Sequence, residues 1–244
     1  MGICPYIASE RPDALVEKAW AMPYNFMASI VGDAVGYILL VDDHPLFRHA
    51  LRVVVSRSRA NVEIREAGTL AGAKSILAAH HDVIAVMLDL KMSDCEDFNG
   101  LLSLRGEYPQ VPVVIVSSSS DSDTVDRALA LGAAGFIPKS SNRSDIAEAV
   151  RAILTGEIWA PRASRAPALP PDVRSIASLT SSQLRILMGL QQGLRNKEIA
   201  YDMGVTEKTV RAYMTSMFRK LGVNSRTQAV LSVQTLKVNT NLNS

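Results

Sequence analysis

Short apolar runs alternate with stretches of helical periodicity between residues 37 and 157. Five runs rich in Val, Ile and Leu predict β-strands at 37–42 (YILLVD), 62–67 (VEIREA), 83–89 (VIAVMLD), 111–117 (VPVVIVS) and 135–139 (GFIPK). Apolar residues recur at helical spacing in the segments between and after them, which predicts helices at 45–58, 69–81, 99–108, 121–132 and 144–156. Strands that alternate with helices form crossovers that leave the strands parallel in a sheet covered on both faces. The pattern therefore predicts an α/β domain with a flavodoxin-like (βα)5 fold and a parallel five-stranded sheet.

The pattern changes after residue 157. The stretch 158–178 is rich in small residues and carries four prolines, at 161, 167, 170 and 171, which is typical of a linker. Helical periodicity then returns without strands at 179–193, 196–204, 205–222 and 225–236, with Gly193, Gly204 and Gly222 at helix ends. We therefore predict an N-terminal extension at 1–36, an α/β domain at 37–157, a linker at 158–175 and a small all-α domain of four helices at 176–240.

The N-terminal extension carries no clear structural pattern. It lacks the basic start and the clean apolar core of a signal peptide, and Pro23, Asn25 and Asp33 interrupt any membrane-spanning helix. An alternative hypothesis is that the protein starts at Met22 or at Met27. We therefore expect neither a targeting segment nor a membrane partner.

Cysteine content and charge distribution narrow the compartment and the partners. The two cysteines, Cys4 and Cys95, form no CxxC or metal-binding pattern, which favours the reduced cytoplasm. Residues 37–157 hold 12 basic and 16 acidic side chains, a net charge of −4, whereas residues 176–244 hold 9 and 3, a net charge of +6. This basic block predicts a nucleic-acid-binding C-terminal domain, with a solvated basic surface as the alternative.

Polar side chains stand at the ends of four predicted strands: Asp42 and Asp43, Asp89, Ser117, and Lys139. The carboxyl ends of parallel strands meet at one edge of a sheet, so we expect these groups to share one pocket. A divalent, oxygen-ligated cation such as Mg²⁺ and the lysine would offset the repulsion between the adjacent aspartates. In such a pocket Asp89 has the chemistry of a phosphoryl-accepting nucleophile. The alternative is that these aspartates only cap the following helices.

The motifs LLVDDHP, VMLDL, VIVSS and GFIPKS, in this order, resemble the receiver domain of two-component response regulators over residues 37–156. The resemblance implies that a sensor histidine kinase phosphorylates Asp89. It further implies a Mg²⁺ site made by Asp42, Asp43, Asp89 and the Lys91 main chain, and phosphoryl contacts from Ser117 and Lys139. Phe136 stands where the family places an aromatic switch, although a core residue of the fifth strand would look the same.

The sequence departs from the receiver pattern at two positions after Asp89. Ser93 stands where the family usually has proline, and Asp97 stands where glycine is common. These changes predict a loop that is less rigid and more acidic than usual, and they leave the rate and lifetime of phosphorylation open.

The C-terminal segment NKEIAYDMGVTEKTVRAYMTSMFRKLGV predicts a helix, a tight turn through Gly204 and a second helix with Thr206 as its N-cap. Its apolar positions at helical spacing predict a packed core of Ile199, Ala200, Met203, Val210, Met214, Met217 and Leu221. A basic polar face on the second helix suits the major groove of DNA, where long cations and small residues contact base edges.

This segment is similar to the LuxR-type helix-turn-helix of NarL/FixJ regulators, through LT, GL, NKEIA, MGV, EKTV and RKLGV with SRTQAV. The resemblance implies homodimers on double-stranded promoter DNA and base contacts near Arg211, Ala212 and Thr215. From the pattern of the second helix we expect Lys208 on the same polar face, and phosphate contacts from Arg219, Lys220 and Arg226. Thr209 and Tyr213 complete the predicted DNA-binding residues. Three residues depart from the family pattern: Ser182 and Gln183 replace a common Arg-Glu pair, and Tyr213 replaces a common histidine.

Together these features predict a DNA-binding response regulator rather than an enzyme. Phosphorylation would alter the face formed by helices 121–132 and 144–156 and the fifth strand, and would permit dimerisation, expose the recognition helix, or do both. One alternative is a phosphorylation-independent regulator that keeps the receiver fold for dimerisation or ligand sensing. The other is an enzyme that transfers phosphoryl groups from small molecules through Asp89. No GxGxxG or Walker-type loop supports an ATPase or a dehydrogenase.

Overall fold

The computed structural model describes residues 36–58, 62–161 and 169–236. A five-stranded parallel sheet of order β2-β1-β3-β6-β7 forms the centre of the N-terminal domain. A two-stranded antiparallel hairpin, β4-β5, follows β3. The strands are β1 (Tyr37–Val41), β2 (Glu63–Ala67), β3 (Val83–Asp89), β4 (Lys91–Met92), β5 (Cys95–Glu96), β6 (Val113–Ser117) and β7 (Gly135–Pro138). The predicted five strands and the parallel sheet are confirmed, whereas the hairpin was not predicted.

Helices follow the strands of the sheet and then form the C-terminal part alone. The N-terminal domain has α1 (Pro45–Ser58), α2 (Leu70–Ala79), α3 (Asn99–Glu107), α4 (Ser122–Ala130) and α5 (Arg143–Leu154). The C-terminal part has α6 (Pro171–Ala177), α7 (Ser181–Gln191), α8 (Asn196–Met203), α9 (Glu207–Leu221) and α10 (Arg226–Gln234). The four predicted C-terminal helices correspond to α7–α10. Helix α6 is additional and begins inside the predicted linker, because Pro171 occupies the first helical turn and Val173 and Ile176 are fully buried.

Alternate residues of each strand supply two apolar cores, one on each face of the sheet. Leu39 and Ile115 point into the core beneath α2, α3 and α4, whereas Leu40 and Val114 point into the core beneath α1 and α5. Because both faces are covered, the central strands are apolar throughout, and polar residues occur at their ends. This arrangement accounts for the run of apolar residues that stops at the aspartate pair.

The two domains dock through helices. Helix α3 packs against α7, and α4 contacts α6. One apolar cluster includes Leu101 and Leu104 of α3 together with Leu184 and Leu187 of α7, and all four are almost fully buried. Gln191 Nε2 donates to Asn99 Oδ1 at 3.2 Å across the contact. Helix α3 is buried around most of its circumference because it lies between the sheet and the C-terminal domain.

Some sequence-based expectations fall outside the described residues. These are the N-terminal extension up to residue 35, with Cys4 and the alternative starts Met22 and Met27, the centre of the linker at 162–168, and residues 237–240 of the last domain. Within the described ranges, none of the helices combines the length and the apolar character that a bilayer crossing requires.

Candidate functional site

The ends of β1, β3, β6 and β7 bring the predicted polar side chains together. Asp42 and Asp43 follow β1, Asp89 ends β3, and Lys139 follows β7. The register pairs Asp89 with Val116, so Ser117 lies one residue further along the neighbouring strand. The sheet order places β1, β3, β6 and β7 side by side, and this order makes the four tips converge.

Lys139 joins the two buried carboxylates of the site. Its Nζ lies 2.7 Å from Asp42 Oδ2 and 2.7 Å from Asp89 Oδ2. Asp42 is 3% exposed and Asp89 is 4% exposed, so neither charge is solvated by bulk water. Buried carboxylates require such a partner, because moving an unpaired charge from water into the protein interior costs several kcal/mol, as an order of magnitude. The ring of Phe47 lies 4.7 Å from the same ammonium and adds a cation–π contact.

The environment of Asp89 favours its neutral form. Burial raises the pKa of the Asp89 carboxyl above its ordinary value, and the charge of Asp42 acts in the same direction. The hydrogen bond from Lys139, its positive charge and the main-chain N–H of Lys91 oppose this increase. A second cation in the pocket would favour the carboxylate, which is the nucleophilic form.

Asp43 is oriented by two neighbours. The main-chain N–H of Ser93 donates to its Oδ2 at 2.9 Å, and His44 Nδ1 lies 2.8 Å from its Oδ1. Asp42 is oriented in turn by the main-chain N–H of His44, which donates to Asp42 Oδ1 at 2.8 Å. Both aspartates therefore stand in defined orientations at the tip of β1.

The carboxylates fit a divalent cation. Ligand atoms of Asp42, Asp43, His44 and Asp89 lie within 4.8 Å of one another. Asp42 Oδ2 and Asp43 Oδ1 are buried and lie 2.7 Å from Lys139 Nζ and 2.8 Å from His44 Nδ1, and each carboxylate oxygen keeps a second lone pair with which it can bind a metal ion. Three carboxylates and one ammonium sum to a charge of −2 when all are ionised, which a divalent cation balances. Oxygen donors of this kind are the ligands that Mg²⁺ prefers.

The remaining predicted receiver residues have clear positions. Ser117 is fully buried, and its Oγ accepts from the main-chain N–H of Ser119 at 3.2 Å. Its main-chain carbonyl accepts from the Lys139 N–H at 2.7 Å, which joins the tips of β6 and β7. Phe136 is fully buried in the core beneath α2, α3 and α4, as expected of a core residue. Lys91 lies in β4, immediately beyond the strand that ends at Asp89.

The loop after Asp89 makes hydrogen bonds to other parts of the domain that its sequence did not predict. Ser93 binds Asp43, and the carboxylate of Asp94 accepts from the main-chain N–H groups of Leu70 and Ala71 at the start of α2. Asp97 has a φ of 54°, in the left-handed region that favours glycine. Asp97 therefore carries about 1–2 kcal/mol of backbone strain that glycine at this position would not carry.

Sequence reasoning missed two contributors to this site. His44 has no ligand spacing to another histidine in the sequence, yet its imidazole lies beside both aspartates. Phe47 lies on α1 beneath Lys139. The adjacency of His44 to the aspartate pair was the available signal, whereas the contact of Phe47 with Lys139 joins residues 92 positions apart and left no pattern.

A second candidate site lies on the C-terminal domain, where α8, a turn and α9 follow one another. Gly204 ends α8 with a φ of 67°, and Thr206 caps α9 by accepting from the Thr209 N–H at 3.2 Å. The predicted core residues pack inward, with Ile199, Val210 and Met217 almost fully buried. This packing leaves one polar face of α9 to solvent.

Most of the predicted DNA-contacting residues lie on that face. The Arg211 side chain is 70% exposed and lies 3.5 Å from Glu207, one helical turn earlier. Lys208, Ala212, Tyr213, Thr215 and Arg219 are also exposed, and Thr209 is half-buried. The receiver domain covers none of these exposed side chains, because it docks on α6 and α7.

Two predicted phosphate contacts are engaged within the domain. Lys220 Nζ donates to the Ser178 carbonyl at 2.8 Å and to Gln183 Oε1 at 2.9 Å. Gln183 is 4% exposed and also completes a capping box with Thr180. The Arg226 guanidinium donates to the Leu194 carbonyl. Both cations thus hold α9 and α10 against neighbouring elements, a role that the sequence did not indicate.

Comparison with known proteins gives matches over both domains. Residues 38–151 match the family model described as response regulator receiver domain, and residues 177–233 match the model described as bacterial regulatory proteins, luxR family. The chain is 38% identical over 215 residues to the glycerol metabolism activator of Pseudomonas putida, an alignment covering 80% of this chain and 93% of that protein. It is 30% identical over 200 residues to the nitrate/nitrite response regulator protein NarP of Escherichia coli K12, covering 80% and 92%.

The fold is also similar to a solved structure. RcsB from Salmonella enterica serovar Typhimurium, bound to promoter P1flhDC in the presence of a phosphomimetic, superposes with a TM-score of 0.50 at 19% identity. The match covers 83% of this chain and all of that one. At this identity the similarity supports the fold alone.

Proposed function

This chain belongs to the DNA-binding response regulators that join a receiver domain to a LuxR-type helix-turn-helix domain, and we propose that phosphorylation of Asp89 switches its control of transcription. The observation that carries the proposal is the gathering of Asp42, Asp43, Asp89 and Lys139 at one end of the sheet, within the distances given above. A family member without this pocket would have no place to hold a phosphoryl group.

The proposed reaction transfers a phosphoryl group from a phosphohistidine of a sensor kinase to Asp89. A carboxylate oxygen of Asp89 attacks phosphorus, the phosphorus–nitrogen bond breaks, and the kinase histidine leaves as an acyl phosphate forms. Lys139 lies against Asp89, which supports a role in binding the new phosphoryl oxygens. We propose that Ser117, at the adjacent strand end, donates its hydroxyl to the same group.

We propose that Asp42, Asp43 and Asp89, with the Lys91 main-chain carbonyl, hold Mg²⁺ at this site. The clustering of the three carboxylates supports this assignment, because their oxygens keep lone pairs beyond the contacts with Lys139 and His44. When bound, Mg²⁺ would neutralise charge on the transferring phosphoryl group. The chain's own contribution is to keep the ligand oxygens close together in a pocket with little access to water.

The C-terminal domain is proposed to bind double-stranded promoter DNA through the exposed face of α9. Lys208, Arg211, Ala212 and Thr215 would face base edges, with Thr209 and Tyr213 beside them, and Arg219 would contact phosphate. Lys220 and Arg226 would contact phosphate while they keep their hydrogen bonds within the domain. A net charge of +6 on residues 176–244 supports attraction to the DNA backbone.

Docking of the two domains suggests how phosphorylation reaches DNA binding. The β4-β5 hairpin leads from Asp89 directly into α3, which packs on α7 of the DNA-binding domain. Because the recognition face of α9 is exposed while the domains are docked, uncovering that face is not required. We therefore favour dimerisation as the controlled step, with two copies binding related half-sites. We further propose that the protein acts in the cytoplasm and that its two domains span residues 37–157 and 176–240.

Phosphorylation with acetyl phosphate tests the proposal. The wild-type chain should gain one phosphoryl group by intact-mass analysis when Mg²⁺ is present, and none when it is chelated. Asp89→Asn should gain none. Asp94→Asn is the matched control, because Asp94 is an acidic residue of the same loop that caps α2 and does not line the pocket.

The same assay separates the alternatives. A wild-type chain that stays unmodified while binding DNA would favour the phosphorylation-independent regulator. Sustained release of phosphate from small phosphoesters would favour the phosphotransfer enzyme. The proposal requires stoichiometric labelling at Asp89 and a change in dimerisation or DNA affinity that accompanies it.

A further inference from the structure

Both central residues of the β4-β5 turn make hydrogen bonds to other parts of the receiver. The main-chain N–H of Ser93 donates to Asp43 Oδ2 at 2.9 Å, which connects the turn to the tip of β1. The Asp94 carboxylate accepts from the N–H groups of Leu70 and Ala71, each at 3.1 Å, which connects the turn to the start of α2. The turn is therefore held from two directions, and the Ser93 N–H has a defined position.

The bond from Ser93 distinguishes the two oxygens of Asp43. Oδ2 accepts from the Ser93 N–H, whereas Oδ1 is buried and lies 2.8 Å from His44 Nδ1, and the Asp43 carboxylate belongs to the cluster with Asp42, His44 and Asp89. An aspartate carboxylate turns about its last torsion with only broad preferences, so its oxygens exchange positions unless one is held. The Ser93 N–H holds Oδ2 and so fixes Oδ1 as the oxygen on the side of His44.

We propose that the Ser93 main-chain N–H is a positioning group for divalent-cation binding, which keeps Asp43 Oδ1 directed toward Asp42 and Asp89. This inference rests on the proposed function, in which Asp43 is a metal ligand. It concerns a group that proline, the usual family residue at this position, does not possess. The substitution that appeared to loosen the loop thus adds a bond to a ligand.

The geometry of the turn provides a clean variant. Met92 and Cys95 pair across the hairpin, so Ser93 is the first central residue of a two-residue turn. Proline is favoured at such a position where φ is negative, and Asp97 is the sole non-glycine residue with positive φ in the described ranges. Ser93→Pro therefore removes the N–H with little strain, whereas Ser93→Ala removes the hydroxyl and keeps the N–H.

Calorimetric titration of the full chain with Mg²⁺ tests the inference. Ser93→Pro should raise the dissociation constant for Mg²⁺ about three- to tenfold, because the Asp43 side chain would then have to be ordered when the ion binds. Ser93→Ala should bind Mg²⁺ as the wild type does. Thermal unfolding without Mg²⁺ should show that both variants keep the wild-type Tm, so that the loss of affinity is not a loss of fold.

Amide hydrogen exchange tests the bond without altering residue 93. The Ser93 amide should exchange more slowly in the wild type than in Asp43→Ala, because an exposed turn amide is protected only by its acceptor. Equal exchange rates, or equal Mg²⁺ affinities for wild type and Ser93→Pro, would overturn the inference. A wild type that binds no Mg²⁺ would instead remove the proposed metal site, and the exchange rates would still report whether the bond exists.

Discussion

Gly106 allows the close approach of the two domains, and its replacement by alanine should separate them. A Cβ atom at this position would lie 3.1 Å from the main-chain nitrogen of Arg185, 3.2 Å from Arg185 Cγ and 3.4 Å from Leu184 Cβ. Two of these three distances involve the rigid parts of α7, its main chain and a buried Leu184 Cβ. The docked arrangement therefore has little room to accommodate the extra carbon.

The expected magnitude follows from two opposing effects. Crowding a packed contact by one carbon costs about 1–3 kcal/mol. Alanine in place of glycine inside a helix stabilises α3 by about 0.5–1 kcal/mol, but it does so equally in the docked and undocked arrangements. The equilibrium between them should therefore shift toward the undocked arrangement by about 5- to 150-fold.

Small-angle X-ray scattering on the full chain measures the shift as an increased radius of gyration. Gly100→Ala is the matched control, because its Cβ would lie 3.2 Å from Cys95 Sγ and 3.2 Å from Leu88 Cδ2, both within the receiver. It strains the same helix to a similar extent without touching α7. An unchanged radius for Gly106→Ala, or an equal increase for both variants, would show that this contact does not hold the domains together.

Three further predictions concern single side chains. Burial raises the pKa of Asp89, so its protonated form stabilises the fold; this contribution is complete below the unfolded pKa of about 3.9 and is lost as pH rises through the folded pKa. Without Mg²⁺, Asp89→Asn should therefore raise the Tm at neutral pH. A gain in Tm that persists at about pH 3 would contradict this reasoning. Arg211→Ala should reduce the discrimination between bases at one position of the DNA site by about 1–3 kcal/mol. Lys220→Ala should weaken binding to all sequences and also lower the Tm, because it removes hydrogen bonds to Ser178 and Gln183. An equal loss of specificity in both variants would show that α9 is not the recognition helix. Burial raises the pKa of the Cys95 thiol to about 11, so iodoacetamide at pH of about 8 should modify Cys95 in the folded chain far more slowly than after unfolding, as measured by peptide mass spectrometry.

Much of the receiver could be predicted because its signals are local and periodic. The third strand was predicted with the bounds that the structure has, Val83–Asp89, and α1 with both of its ends, Pro45–Ser58. The convergence of the strand tips followed from parallel topology, which needs no knowledge of side-chain contacts. The roles of Asp89 and its neighbours in phosphorylation stay predictions.

Elements without a period escaped the sequence reading. The hairpin β4-β5 has strands of two residues each, which is too short for an alternation of apolar and polar positions. Helix α6 has only seven residues and begins at the second of two adjacent prolines, so its composition indicated a linker. Pro171 is compatible with a first helical turn, and burial of Val173 and Ile176 decides the outcome.

By itself, the order of apolar and polar residues determined the sheet, its parallel strands, the helix-turn-helix and the residue types at the strand tips, because each depends on spacing along the chain. Only the tertiary structure decided that Lys139 joins Asp42 to Asp89, that Lys220 is bound to Gln183, and that α3 docks on α7. These contacts join residues between 37 and 97 positions apart in the sequence. Folding selects them by packing and electrostatic compensation in three dimensions, and no periodicity in the sequence records that choice.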